Sequence, residues 1–191
     1  MPLPDREKVY TYEDYLNWPD DRRIELINGQ IYLLAPPSRI HQKILLNIAD
    51  QFYSYLKNKN CEVYVAPFSV RFPAGNEESD KEIKTVVEPD IVVVCDESKL
   101  DDKGCKGAPD LIVEITSPST ARRDKIEKFN LYEKYGVKEY WIVEPELKMV
   151  SVFTLQENNR YGRPEFYTEE DKIKVSIFKD LEINLKDVFN Y

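Results

Sequence analysis

The sequence predicts an α/β fold in which helices cover both faces of a mixed sheet. Two β-branched runs, at 86–95 and 111–115, are apolar enough to be central strands that are buried on both sides. Segments 39–59 and 121–135 have the residue pattern of helices, and each stands between predicted strands. This order of elements is typical of layered α/β proteins.

Length and composition favour one globular domain that covers residues 1–191. The chain has 191 residues, of which 42% are hydrophobic, so it can bury a core of its own. It carries 27 basic and 35 acidic residues, a formal net charge of -8. This charge argues against a histone-like coat on nucleic acid, but it is compatible with a site that gathers divalent cations.

Several other classes of protein are disfavoured. The apolar runs are much shorter than the ~20 residues that span a bilayer, and residues 1–8 contain no apolar leader. The three cysteines form no CxxC pair, which argues against a disulfide scaffold or a thiolate zinc site. With one histidine, His41, any metal must be held by oxygen, which favours Mg²⁺, Mn²⁺ or Ca²⁺. We therefore expect a cytoplasmic protein without a membrane segment.

A β-hairpin is predicted near the N-terminus. Asn28 and Gly29 separate two alternating apolar runs, which favours a two-residue type I′ turn. That turn places Leu26 opposite Ile31, so the side chain of Glu25 points to the other face of the hairpin.

The remaining elements are predicted from residues that cap helices and from a proline that interrupts a strand. Ser38 is the expected N-cap of the helix at 39–59, and Gly136 is expected to end the helix at 121–135. Pro67 should interrupt the strand pattern at 62–72. Further elements are a short helix capped by Thr11, a charged loop at 96–108, strands at 139–143 and 149–155, and two or three short strands in the tail at 160–191.

Acidic residues interrupt both central strands. Strand periodicity places Glu88 and Asp90 on one face of the first run, and Glu114 lies in the second. Burying a carboxylate is costly unless it is paired or binds a metal. If the two strands are neighbours, Asp90 and Glu114 can share one divalent ion, which would polarise a phosphoryl oxygen and activate a water. The structural alternative is that each acid caps a helix or pairs with an arginine.

These acids belong to a recognisable motif. Pro89-Asp90 followed by Glu114-Ile115-Thr116 resembles the PD-(D/E)XK nuclease signature, although Thr116 stands where a lysine is expected. A longer set of matching segments, over about residues 10–190, resembles the Uma-type family of restriction endonucleases. The segments are 25–29, Pro37-Ser38 with His41, 88–94, 109–120, Asp124, Lys128, Tyr132, Gly136-Val137 and 139–141.

The resemblance implies a restriction-endonuclease-like fold, with a mixed central sheet flanked by helices, an added N-terminal hairpin and a C-terminal β extension. It also implies metal-dependent hydrolysis of phosphodiester bonds in DNA. The implied catalytic residues are Asp90, Glu114, Lys128 and Glu25. The implied ligands of Mg²⁺ or Mn²⁺ are Asp90, Glu114 and the backbone carbonyl of Ile115.

The helix after the second acidic strand is expected to supply the missing lysine. Asp124, Lys128 and Tyr132 are spaced to share one helix face, so Lys128 is the expected lysine. Lys125, which lies on another face, is the alternative. Residues 121–138 contain six basic and three acidic residues, a net charge of +3, so a phosphate backbone could approach along them.

Other interpretations of the same residues stay open. A non-catalytic nucleic-acid-binding or assembly module on the same fold would explain the acidic net charge and the absent lysine. A hydrolase of another substrate could use Asp90 and Glu114 as acid and base. Lys128 could pair with Asp124 on a solvated face, Glu25 could lie on an exposed hairpin, and His41 could be a helix-surface residue. We also expect a homodimer formed through the apolar edges of the tail strands.

Overall fold

The computed structural model describes residues 7–18, 23–75, 79–118 and 120–191. Residues 1–6, where we expected no leader, and Ser119 of the family motif lie outside these ranges. The helices are α1 (Tyr12–Leu16), α2 (Arg39–Leu56), α3 (Phe129–Tyr135) and α4 (Leu185–Val188), and a π-helical segment (Arg123–Lys128) leads directly into α3.

The strands described here form two six-stranded sheets and a two-stranded ribbon. In chain order they are β1 (Ile24–Ile27), β2 (Gln30–Leu33), β3 (Glu62–Val65), β4 (Val70–Arg71), β5 (Val86–Val87), β6 (Ile91–Val94), β7 (Leu100–Asp101), β8 (Gly104–Lys106), β9 (Leu111–Ile115), β10 (Glu139–Glu144), β11 (Met149–Thr154), β12 (Glu165–Thr168), β13 (Lys172–Lys174) and β14 (Glu182–Asn184). The first sheet has the order β2-β1-β5-β4-β8-β7, the second has the order β12-β11-β10-β9-β6-β3, and β13 pairs with β14.

The predicted hairpin is confirmed in type and register. Leu26 pairs with Ile31 across β1 and β2. Asn28 and Gly29 both have positive φ angles, 49° and 80°, as a type I′ turn requires. Glu25 is nevertheless fully buried, because β1 is an inner strand between β2 and β5. The alternative of an exposed hairpin is therefore wrong.

The two long helices lie on opposite faces of the second sheet. The side chain of Ser38 caps α2 by accepting a hydrogen bond from the backbone N–H of His41 at 3.2 Å. The buried face of α2 packs against one face of the sheet, while α3 packs against the other face and against the first sheet. Gly136 ends α3 in the left-handed conformation, with φ 81°, as predicted.

The run at 86–95 is not one strand. It is divided between β5 of the first sheet and β6 of the second, and Glu88, Pro89 and Asp90 form the connection. Because Pro89 has no N–H for a ladder, the chain leaves one sheet here and enters the other. The prediction that Glu88 and Asp90 share a strand face is therefore wrong. The segment at 96–108, expected to be a loop, contains β7 and β8.

The cysteines also differ from expectation. Cys61, just before β3, forms a disulfide with Cys95, just after β6, and Cys105 is buried with a free thiol. These two strands are antiparallel neighbours, which brings their ends together. Because disulfides are uncommon in the cytosol, this bond counts against the expected cytoplasmic location, which stays a prediction. Among the described residues, no helix is long and apolar enough to cross a membrane.

Candidate active site

Asp90 and Glu114 lie opposite each other where β6 begins and β9 ends. The two strands are antiparallel, and Ile91 pairs with Val113, so the same register continues to Asp90 and Glu114. The backbone N–H of Ile115 donates a hydrogen bond to Oδ2 of Asp90 at 2.7 Å. The adjacency that the sequence argument required is therefore present.

The ammonium group of Lys128 occupies the centre of the site. Its Nζ lies 2.7 Å from Oε1 of Glu114 and 2.7 Å from Oε1 of Glu25. Oδ1 of Asp124 is further away, at 3.9 Å. Only 4% of the Lys128 side chain is exposed, so the alternative of a solvated Lys128–Asp124 pair is wrong. Lys125 points away from the cluster, to Glu144 on β10.

Glu25 joins the hairpin to this cluster. Besides Lys128, its carboxylate accepts a hydrogen bond from the backbone N–H of Glu88 at 3.0 Å and faces the guanidinium of Arg123 at 3.5 Å. The ring of Tyr32, which is opposite Glu25 in the register, stacks under the same guanidinium. The hairpin therefore contributes a buried carboxylate to a site built mainly from the second sheet.

The π-helical segment and α3 together place three side chains of one face in the cluster around Glu114. Asp124, Lys128 and Tyr132 are all buried, and the hydroxyl of Tyr132 donates to Oε1 of Glu114 at 2.7 Å. The hydroxyl of Tyr140 on β10 donates to the backbone carbonyl of Asp124 at 3.0 Å. Single π-helical turns are frequent at functional sites because they change the direction of a helix face.

Burial controls the protonation of this cluster. Desolvation raises the pKa of Glu114 well above its ordinary value, and nearby Lys128 opposes this shift only in part. Desolvation likewise raises the pKa of Asp124. Desolvation lowers the pKa of Lys128, but the carboxylates of Glu114, Glu25 and Asp124 outweigh it and raise that pKa above its ordinary value. Lys128 is therefore held as an ammonium among carboxylates that outnumber it.

His41 contacts the site, so the interpretation of His41 as a helix-surface residue is wrong. Its Nε2 lies 3.2 Å from Oδ2 of Asp90, because the first turn of α2 adjoins the start of β6. Its position after Pro37-Ser38 in the motif was the one available signal, since spacing alone does not place it beside Asp90.

The role of Glu88 differs from that of Asp90. Glu88 turns away to the hydroxyl of Tyr15 and the guanidinium of Arg23, at 2.9 and 2.7 Å.

The basic segment at 121–138 is largely neutralised by acids on the segment itself and on or beside neighbouring strands. Arg122 pairs with Glu127, Lys125 with Glu144, and Lys138 with Asp110. The net charge of +3 along the sequence therefore does not form an uncompensated basic stripe in three dimensions.

The oxygen donors fit a hard divalent cation in part. Both contacts of Asp90 are made through Oδ2, and both hydrogen bonds to Glu114 are accepted by Oε1. Oδ1 of Asp90 and Oε2 of Glu114 therefore accept no hydrogen bond from the described residues. Within the described ranges, no group of three or more histidine, cysteine or acidic side chains is arranged to hold a metal. Mg²⁺ does not need such a cage, because it is commonly held by one or two carboxylates and keeps several waters.

Comparisons with known proteins agree with this architecture. The model of the Uma2 family, described as "Putative restriction endonuclease", matches residues 12–186. The crystal structure of a "putative nuclease belonging to DUF820" from Anabaena variabilis superimposes with a TM-score of 0.73 at 20% identity. That match covers 94% of this chain and 97% of the other, and it shows the shared fold.

Two similar proteins come from Synechocystis. The uncharacterized protein slr1290 is 32% identical over 127 residues, which is 63% of this chain and 60% of the relative. This chain thus spans about three fifths of the length of that relative. The uncharacterized protein sll1609 is 23% identical over 177 residues, which is 90% of this chain and 96% of the relative.

The chain has the restriction-endonuclease-like α/β fold that the sequence predicts. The chain belongs to the Uma2 family, since the family model covers nearly its whole length. Family membership supports a nuclease-type function.

Proposed function

We propose that this protein is a metal-dependent endonuclease that hydrolyses phosphodiester bonds in DNA. The observation that carries the proposal is the pairing of Asp90 and Glu114 across two buried strands, with the ammonium of Lys128 bound between Glu114 and Glu25. Acids at one sheet position and a lysine beside them form the constellation that the family motif requires, although the lysine comes from a helix.

Asp90, Glu114 and the carbonyl of Ile115 are the groups that would hold Mg²⁺ or Mn²⁺. The bound ion would polarise a phosphoryl oxygen and lower the pKa of a bound water. Three buried carboxylates, those of Glu25, Glu114 and Asp124, face the cationic side chains of Lys128 and Arg123, and the nearby carboxylate of Asp90 adds a further negative charge that raises the pKa of Glu114. This surplus of negative charge supports a divalent cation as the missing partner.

Lys128 has an electrostatic role in this proposal. Held as an ammonium by Glu114 and Glu25, it supplies a fixed positive charge where the phosphorane develops negative charge, and it can orient the attacking water. Glu25 fixes the position of that ammonium, and the hydroxyl of Tyr132 fixes the Glu114 carboxylate.

A plasmid-relaxation assay in Mg²⁺ or Mn²⁺ tests the proposal. Wild type should nick supercoiled plasmid, and Asp90→Asn and Lys128→Met should each lower the rate by a factor on the order of 10² or more. The matched control is Lys125→Met, because Lys125 lies on the same helical segment but is 44% exposed and pairs with Glu144 outside the cluster. Equal nicking by wild type and Asp90→Asn would contradict the proposal. Structured RNA in parallel reactions tests the choice of DNA.

The second candidate is a non-catalytic nucleic-acid-binding or assembly module. It is favoured by the neutralisation of the basic segment and by the hydrogen bonds that Glu114 already accepts. This candidate requires that calorimetry detect no Asp90-dependent binding of Mg²⁺ or Mn²⁺.

We also propose a homodimer, which would let one assembly act on both strands of a duplex. The edge strand β12 of the second sheet carries the exposed Phe166, and Leu147 in the turn after β10 is exposed as well. Sedimentation equilibrium should give about twice the 22.5 kDa chain mass, and Phe166→Glu should return the protein to monomers. A monomer at high protein concentration would contradict this proposal.

A further inference from the structure

The side chain of His41, in the first turn of α2, lies beside Asp90 at the beginning of β6. His41 lies one helical turn before Ile44 and Leu45, which are buried against the second sheet. The core that they join includes Ile91, the residue after Asp90. Because side chains three and four apart share a helix face, the imidazole of His41 extends over the end of that sheet. Its backbone N–H is held by Ser38, which fixes the start of the helix.

Two donors meet on one oxygen of Asp90. Nε2 of His41 lies 3.2 Å from Oδ2, and the backbone N–H of Ile115 lies 2.7 Å from the same atom. Asp90 lies directly before β6, and its side chain is 16% exposed. The two contacts on Oδ2 therefore fix the plane of the carboxylate and direct Oδ1 away from both donors.

The other ring nitrogen of His41 has no such partner. Nδ1 is buried and makes no hydrogen bond to any described residue. A buried polar atom without a partner costs about 1–3 kcal/mol, so packing alone would be served better by an apolar ring. The contact that explains a histidine at this position is the one between Nε2 and Asp90.

We infer that His41 is a positioning residue that holds the Asp90 carboxylate in the orientation needed to bind the divalent cation. This inference rests on the proposed function, and it assigns to His41 a place beside the cation's ligand, outside the ligand set itself. Groups that orient a metal-binding carboxylate commonly change metal affinity 10–100-fold when they are removed.

Calorimetric titration with MnCl₂ tests the inference on wild type and four variants, one of which is Asp90→Asn. His41→Phe keeps a ring but removes the donor, and it should weaken Mn²⁺ binding by a factor of about 10–100. His41→Gln keeps a donor at a similar reach and should bind within about threefold of wild type. Lys43→Ala, an exposed change in the same turn, should bind as wild type does. Thermal unfolding of each variant confirms that it is folded.

A dependence of plasmid nicking on Mn²⁺ concentration gives a second readout. His41→Phe should need more Mn²⁺ for half-maximal nicking and should recover the wild-type rate at saturation. A lower rate at saturating Mn²⁺ with unchanged half-activation would overturn the positioning role.

The outcomes separate this inference from the function on which it rests. Mn²⁺ binding that is equal in wild type and Asp90→Asn would overturn the proposed function. Mn²⁺ binding that depends on Asp90 but is unchanged in His41→Phe would overturn the inference alone. Equal loss of affinity in the Phe and Gln variants would also overturn it, because the donor would then make no difference.

Discussion

Two buried cations in this protein have different surroundings. Arg71 in the first sheet is fully buried and pairs with Asp80 and Asp101, whose side chains are 33% and 46% exposed, and Lys106 adds a second cation on Asp80. Lys128 instead faces the buried carboxylates of Glu25, Glu114 and Asp124, and among the described residues Arg123 is the other cation that pairs with this group, through Glu25.

The pKa shifts follow this difference. A hydrogen bond from Lys106 lowers the pKa of Asp80. Burial raises the pKa of Asp101, but the hydrogen bonds from Arg71 and from the backbone N–H of Lys103, together with the positive charge of both side chains, outweigh burial and lower that pKa. Burial raises the pKa of Glu114 and of Asp124. Balanced charge at Arg71 is what a purely structural ion pair needs. The surplus of carboxylates at Lys128 is instead what the proposed divalent cation would balance.

The largest expected effect is on the stability of Lys128→Met. The change leaves buried carboxylates without their ammonium, which should cost about 3–5 kcal/mol of unfolding free energy at pH 8. Protonation of those carboxylates relieves the charge, so the gap to wild type should narrow as the pH falls from 8 to 5. Urea unfolding at pH 8 and at pH 5 measures the difference in unfolding free energy between wild type and Lys128→Met. A difference of the same size at both pH values would show that the carboxylates around Lys128 carry no surplus charge.

Much of this site could be predicted from sequence. Asn28-Gly29 determined the hairpin register, and the helix spacing placed Lys128 and Tyr132 on one face, both of which the structure confirms. The break between Glu88 and Asp90 was missed because a β-branched run with one proline has the pattern of a single strand. The burial of Glu25 depends on β5, a partner that lies 60 residues away and has no local signal.

Divalent cations should stabilise the Lys128 cluster, which is Lys128 with Glu25, Glu114 and Asp124. They should leave the Arg71 cluster, which is Arg71 with Asp80 and Asp101, unaffected. A ligand at about 100 times its dissociation constant stabilises the native state by roughly 2.7 kcal/mol. We therefore expect saturating Mn²⁺ to raise the melting temperature of wild type by several degrees, and not to raise that of Asp90→Asn. Differential scanning calorimetry measures both. A similar increase in both proteins would place the ion elsewhere.

Removing one acid from each cluster should change stability in opposite directions. Because the pKa of Asp124 is raised in the folded state, ionisation of Asp124 destabilises the native state once the pH rises above the ordinary pKa of an aspartate. Asp124→Asn should therefore leave the free energy of unfolding at pH 7 unchanged or increase it. The pKa of Asp80 is lowered, so its carboxylate stabilises the native state above the unfolded pKa and loses this effect as the pH falls through the folded pKa. Asp80→Asn should cost up to about 1 kcal/mol in urea unfolding at pH 7. If Asp124→Asn and Asp80→Asn both lowered the free energy of unfolding, the proposed difference between the two clusters would be wrong.

The smallest expected effect is that of Lys125→Met. Its pair with Glu144 is partly exposed, and such pairs contribute about 0.2–1 kcal/mol. Unfolding free energy should change by less than about 1 kcal/mol, and Mn²⁺ affinity should not change. A loss of Mn²⁺ affinity in calorimetry would mean that the site extends to this lysine.

The most direct test of a cation between Asp90 and Glu114 is a crystal of the protein soaked in MnCl₂ and measured at the manganese absorption edge. We expect one anomalous peak within about 2.5 Å of carboxylate oxygens from both residues. A fully occupied soak that shows no peak there, with Lys128 still bound to Glu114, would contradict a metal-dependent site.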